Sequence, residues 1–289
     1  MMTGPGTRGT WGRRRPGPAA VAALVLAVVL SAACLTHLRN AKAAYTEAQE
    51  LSRQYRTDQA AAAYKRALAE ASLEAAKNPS AQAFMLKGLA EANLGLWREA
   101  ETSFVKAAGL GFGDGEAWAS DVSLLGLAVS FQELGFREPS LRAYENLLGK
   151  SSFKPVRLVA AERYADLTLA RALALADPER ARALADLVRT IERLEAADFA
   201  CGYYHYLHAQ AEGHRGGFRR GYEEAVMARE LGLPSEKVLR DNDNQIVFCY
   251  DRQAAAIGDG ERPAFEAAHA AWAKKWGWKG ARTPGWKTE

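Results

Sequence analysis

Cys201, His205, His208 and Glu212 form the one metal-like cluster in the sequence, in the pattern Cys-x3-His-x2-His-x3-Glu. Thiolate, imidazole and carboxylate are the donors that hold zinc-like ions, and steps of three and four residues put all four on one helix face. A helix rises about 1.5 Å per residue, so Cys201 and His208 lie about 10 Å apart along the axis, too far to share one ion. A metal site therefore requires a pair such as His205 and His208, completed by ligands from another helix. The simpler expectation is that both histidines pack in a core beside Tyr203, Tyr204 and Tyr206.

The other chemical candidates are weaker. Cys201 and Cys249 sit in helical stretches that should lie side by side, so they either form a disulfide in an oxidising compartment or stay buried free thiols. Asp241-Asn242-Asp243-Asn244-Gln245 has the look of a calcium-loop start, but Ile246 stands where the loop needs Gly and Arg252 where it needs Glu. A helix N-cap at Asp243 or Asn244 is the expectation there. Gly109 to Gly115 matches a phosphate loop only in glycine content, with no strand before it and no Lys after it. Acid pairs such as Glu223-Glu224 fall on faces expected to be solvated. No serine sits in a strand-to-helix elbow. Neither an enzyme nor a resident cofactor is expected.

The elements that carry these residues should be helices. Apolar residues make up 48% of the 289-residue chain and charged ones 25%, an ordinary globular balance. Ala, Leu, Arg and Glu, the strong helix formers, abound, so the fold class is all-α. The sequence also repeats. Ala60-x3-Tyr64-x2-Ala67-Leu68 recurs as Ala100-x3-Phe104-x2-Ala107-Ala108 and as Ser140-x3-Tyr144-x2-Leu147-Leu148, at steps of 40 residues. Each block follows a second helical stretch with a small residue in register: Ala48, Gly88 and Ala128. Leu94-Gly95-Leu96-Trp97 and Leu134-Gly135-Phe136-Arg137 separate the stretches and read as helix-ending turns.

This pattern resembles the tetratricopeptide repeat, in which large, small and aromatic residues alternate at set positions of two paired helices. The physical logic stands apart from the name: antiparallel helices approach closely only where one presents Gly, Ala or Ser, and a neighbouring aromatic fills the gap. Further pairs follow in Tyr164–Leu175 with Ala181–Leu194, Tyr203–Gly213 with a stretch carrying Gly221-x3-Ala225-x2-Ala228, and Gln245–Ile257 with Ala264–Trp272. The resemblance implies a right-handed α-solenoid of about six helix pairs over residues 41–272. It places Tyr45, Gln49, Met85, Leu89, Val122, Leu125 and Val129 on the concave face, where they would take an apolar helix or extended segment of a partner protein. The other reading of these seven is that they are core. Trp272 and Trp276 read as a capping helix, and 273–289 as a Trp- and Lys-rich tail.

The N-terminus addresses the chain. Residues 1–18 carry Arg8, Arg13, Arg14 and Arg15 among Gly and Pro, and residues 19–35 run apolar apart from Ser31. A basic stretch followed by an apolar one is the layout of a secretory signal or membrane anchor. Ser31-Ala32-Ala33 suits cleavage, Cys34 suits lipid attachment, and the apolar run sits at the short end of what spans a bilayer. The net charge of +4 is accounted for by those four arginines, leaving 34 basic and 34 acidic residues elsewhere. A neutral body lacks the field that tracks phosphates, which excludes non-specific nucleic-acid binding. The expectation is a scaffold of the cell envelope, membrane-tethered through residues 19–35 or a lipidated Cys34, with its repeats on the periplasmic side. The alternatives are a periplasmic metal- or haem-handling protein using His205 and His208, and an accessory domain of a cell-wall or secretion machine.

Overall fold

Helix ends in this chain are set by local chemistry that repeats. In a computed structural model that describes residues 36–278, Ser80 and Ser235 accept hydrogen bonds from the Ala83 and Val238 amides and so start their helices. At the other end, Gly95 (φ 78°) and Gly135 (φ 85°) adopt the left-handed conformation that stops a helix. The amide of the next residue then reaches back five positions, Leu96 to the Glu91 carbonyl at 2.9 Å and Phe136 to the Phe131 carbonyl at 2.8 Å. This is the paired C-terminal bonding that satisfies the last carbonyls. The same closure occurs 40 residues earlier at Tyr55, where Arg56 reaches the Leu51 carbonyl at 2.9 Å, although Tyr55 is not glycine and holds φ at 60°.

Twelve helices result among the described residues, and no strand is present there. They are α1 (Thr36–Arg53), α2 (Thr57–Lys77), α3 (Ala81–Asn93), α4 (Trp97–Leu110), α5 (Ala117–Glu133), α6 (Arg137–Lys150), α7 (Lys154–Leu173), α8 (Glu179–Ala197), α9 (Gly202–Arg215), α10 (Phe218–Leu231), α11 (Glu236–Ala256) and α12 (Arg262–Trp276). The all-α expectation holds. The chain divides into two compact units, Met1–Phe136 and Arg137–Glu289.

In the first unit, α1 and α2 run antiparallel. His37 meets Glu70 at 2.7 Å and Glu47 meets Arg66 at 2.7 Å, while Tyr45 sets its ring edge-on to Tyr64 at 5.4 Å. The repeated aromatics are interior, as their spacing predicts. Phe104 of α4 is fully buried and wedges against Gly88 of α3 and Gly126 of α5. A methyl group on Gly88 would sit 2.9 Å from the Phe104 ring, so only glycine lets α3 come this close.

In the second unit, α9 occupies the centre, packed on α7, α8, α10 and α11. Its residues from Gly202 to Gly213 are buried apart from Gln210. One core cluster joins Leu187, Val188 and Ile191 of α8 to Tyr203, Tyr204 and Leu207 of α9; another joins Tyr222, Ile246, Cys249 and Trp272. Trp272 is the buried residue of α12, and Arg229 lies over the Trp276 ring at 4.5 Å.

The Asp241–Gln245 stretch corrects one expectation. It starts no helix; α11 begins earlier at Ser235, and Asn242, Asp243, Asn244 and Gln245 are buried within it. Asn242 donates to the Ala225 carbonyl at 2.9 Å, Gln245 to the Ala209 carbonyl at 3.0 Å, and Asp243 pairs with Arg229 at 3.2 Å. Hydrogen bonds across helices outweigh the capping preference of these side chains. The apolar run 19–35 with Cys34, the basic residues 1–18 and the tail beyond Trp278 lie outside the described residues. No helix among the described residues is long and apolar enough to cross a membrane.

Candidate functional site

Three helices converge on a buried polar cluster in the second unit. Helix α9 supplies His205 and His208, three residues apart and 2% and 0% exposed. Glu195 comes from the end of α8 and Glu224 from the middle of α10, and both are buried. Each acid occupies a place that helical periodicity assigns to the interior. In α8 the buried positions are Leu184, Leu187, Val188, Ile191 and Leu194, and Glu195 continues that stripe four residues after Ile191. In α10 the buried positions are Gly221, Tyr222, Ala225 and Ala228, and Glu224 falls between them, three residues after Gly221.

The geometry fixes one proton. His205 Nε2 lies 2.9 Å from the Phe199 carbonyl, and a carbonyl can only accept, so Nε2 carries hydrogen. Its Nδ1 then faces two carboxylates, Glu224 Oε2 at 2.6 Å and Glu195 Oε1 at 3.3 Å. His208 Nδ1 lies 3.0 and 3.1 Å from the two oxygens of Glu195 and 3.7 Å from Glu224 Oε1. His208 Nε2 is buried with no hydrogen-bond partner among the described residues; the nearest acid is Glu212 Oε1 at 3.9 Å. Arginines at the rim answer two of the acids, Arg220 on Glu224 at 2.6 Å and Arg215 on Glu212 at 3.0 Å. Among the described residues, Glu195 faces only the two histidines.

The electrostatics follow. Burial alone would lower the His205 pKa, but the hydrogen bonds to Glu224 and the Phe199 carbonyl, with the charges of Glu195 and Glu224, hold it above its ordinary value. Burial alone would raise Glu224, yet its bond to His205 and the nearby His208 and Arg220 hold it below the usual carboxylate value. Glu195, His205 and Glu224 each present a ligand atom, all within 4.8 Å of one another.

The expected motif is thus partly gathered and partly dispersed. His205 and His208 lie in one cluster, with acids drawn from other helices. They do not pack solely among tyrosines. The expectation that Glu224 lies on a solvated face is corrected: its side chain is 5% exposed, because α10 packs that face on α9. Cys201 lies just before α9 and packs with Tyr204 and Leu207.

The disulfide between Cys201 and Cys249 is not formed; both are buried free thiols in different clusters. Gln245 bonds to Ala209, and Cys249 Sγ would touch a methyl group on Gly221, itself beside Ala209 and Gly213. Cys249 therefore stands level with α9 residues eight to twelve positions beyond Cys201, about 12–18 Å along the axis. Burial also pushes the Cys249 thiol up to about 12.

The seven residues expected to line a concave face are all interior: Tyr45, Gln49, Met85, Leu89, Val122, Leu125 and Val129 are between 1% and 5% exposed. Tyr45, for one, accepts a hydrogen bond from Asn93 of α3 at 3.0 Å while packing on Tyr64 of α2. These side chains hold helices together and present no surface. Apart from the histidine cluster, a cleft of about 540 Å³ opens in the second unit, lined by Arg157, Tyr164, Arg193, Asp198 and Tyr204 among others. The chain matches no protein-family model and no curated protein sequence.

Proposed function

We propose that this chain is a helical-repeat scaffold resembling tetratricopeptide-repeat proteins, a solenoid of about six helix pairs that holds a protein partner rather than catalysing a reaction. The observation that supports this reading is the register of its turns and wedges. Helix closure recurs at Tyr55, Gly95 and Gly135, in steps of 40 residues, and a buried aromatic follows each closure by nine residues, at Tyr64, Phe104 and Tyr144. Stacked pairs of this kind form extended surfaces suited to holding other chains. The export signal and the tether at residues 19–35 or Cys34 belong to the same proposal and place the repeats on the outer side of a membrane.

The interior position of Leu89, Leu125 and their companions moves the contact surface elsewhere. The first unit leaves large apolar side chains exposed at its recurring turns: Tyr55 at 90%, Leu96 at 39% and Phe136 at 43%. Leu96 and Phe136 stand at the same place of successive repeats and Tyr55 one position earlier in the preceding turn, and exposed aromatic and aliphatic residues so grouped suit an apolar segment of a partner. A pull-down from solubilised membranes should recover a partner with the wild type and lose it with Tyr55→Ser, Leu96→Ser and Phe136→Ser combined, at unchanged helical circular dichroism. Equal recovery by a folded triple variant, or no partner with the wild type, would overturn the reading.

A further inference from the structure

We infer that Glu195, His205, His208 and Glu224 form a closed site for one divalent cation of zinc type, which clamps α8, α9 and α10 together. The two histidines point the same atom, Nδ1, at the same pair of carboxylates. The nitrogen-to-oxygen separations across the cluster are 2.6, 3.0, 3.3 and 3.7 Å. Donors of a four-coordinate ion with bonds of about 2.0–2.2 Å stand about 3.3–3.6 Å apart. Glu195, His205 and Glu224 already hold ligand atoms within 4.8 Å of one another; to take the ion the 2.6 Å contact of His205 with Glu224 opens by about 0.7 Å, and His208, now on Glu195 at 3.0 Å, turns in as the fourth donor.

The outer partners agree with that assignment. Histidines that ligate a metal give their other ring N–H to a carbonyl or carboxylate. His205 Nε2 already donates to the Phe199 carbonyl at 2.9 Å. His208 Nε2 is buried, has no hydrogen-bond partner among the described residues, and lies 3.9 Å from Glu212. With a cation on Nδ1, the His208 proton moves to Nε2 and faces Glu212, which supplies the orphaned nitrogen with a role. Charge points the same way. Arg220 answers Glu224 and Arg215 answers Glu212, whereas Glu195 is a buried carboxylate paired with no arginine or lysine among the described residues. Two buried carboxylates facing the same two imidazoles gather negative charge in a desolvated place, and a divalent ion shared by Glu195 and Glu224 compensates it.

Nitrogen and carboxylate donors without thiolate select zinc and its neighbours over calcium, which takes six to eight oxygens. The burial of all four ligands leaves no open position for substrate, so the ion is structural. Such ions bind as the chain folds, displacing protons from their ligands.

The test uses the full chain in detergent, stripped of metal with a chelator and titrated with Zn²⁺ by calorimetry and with Co²⁺ by visible absorption. One equivalent should bind, and cobalt should give the intense visible bands of a four-coordinate nitrogen–oxygen site. His205→Gln and Glu224→Gln should each weaken zinc by about 100-fold or more, and Glu223→Gln, whose side chain is half exposed, should not. The wild-type cobalt spectrum reads the site even where a ligand variant fails to fold. A stripped wild type that binds no zinc saturably, a cobalt spectrum of the weak six-coordinate kind, or folded His205→Gln and Glu224→Gln variants that bind like wild type would each leave only an ionic network and overturn the assignment.

Discussion

Glu91 shows how a single buried charge makes stability depend on pH. It is 4% exposed, accepts from Ser103 of α4 at 2.6 Å and lies 3.6 Å from the Lys87 ammonium. Burial raises its pKa above 4.5 despite both partners. The fold therefore favours the protonated acid: that contribution is complete below about 4.5, the unfolded value, and is lost as pH rises through the folded one. Glu91→Gln keeps an acceptor for Ser103 without the charge. Its denaturant midpoint should exceed that of wild type at neutral pH, with the advantage vanishing in acid; a neutral-pH midpoint below wild type would show that the ion pair with Lys87 outweighs desolvation. Glu195 and Glu224 share with Glu91 only their placement, as acids in apolar stripes. In the sequence they are two glutamates among many. Their positions relative to Ile191 and Gly221 do mark them as interior, but a solvated face is the common place for an acid, and the residues that receive them are 13 and 19 positions away.

At the scale of the element, the closing turn of α1 departs from its repeats. Gly95 and Gly135 hold left-handed backbone without a side chain, whereas Tyr55 does so at φ 60° and is 90% exposed. A non-glycine residue there is strained, and little packing is lost by removing the ring. Tyr55→Gly should stabilise the protein by about 0.5–1 kcal/mol, and Gly95→Ala should destabilise it by about 1 kcal/mol, both read from chemical denaturation. If Tyr55→Gly instead lowers stability, the ring makes a contact that its exposure does not suggest. The ends of α3 and α5 are legible in the sequence, because Gly95 and Gly135 follow within two residues of them. The start of α11 is not: Asp243 and Asn244 are strong capping residues, and only the carbonyls of Ala209 and Ala225 and the guanidinium of Arg229 explain why this stretch lies inside the helix.

Across the whole molecule, the principal helix contacts within each unit join elements no more than two apart in the chain. Stability in such an array is carried by neighbours, so damage should stay local. Phe104→Ala empties the wedge between Gly88 and Gly126 and should cost about 3–5 kcal/mol. Hydrogen exchange should accelerate in α3, α4 and α5 while α9 to α12 keep their protection; acceleration throughout would mean that the chain unfolds as one cooperative body. The sequence by itself determined the helical class, the 40-residue rhythm, the small-to-aromatic contacts and the neutrality of everything after the first arginines. These depend on spacing along one or two helices, which periodicity records. The tertiary structure alone decided that Tyr45, Met85 and Leu89 face inward, that Cys201 and Cys249 stand at different levels, and that two glutamates close around His205 and His208. Each of those depends on the rotation and offset of one helix against another, which no local spacing encodes.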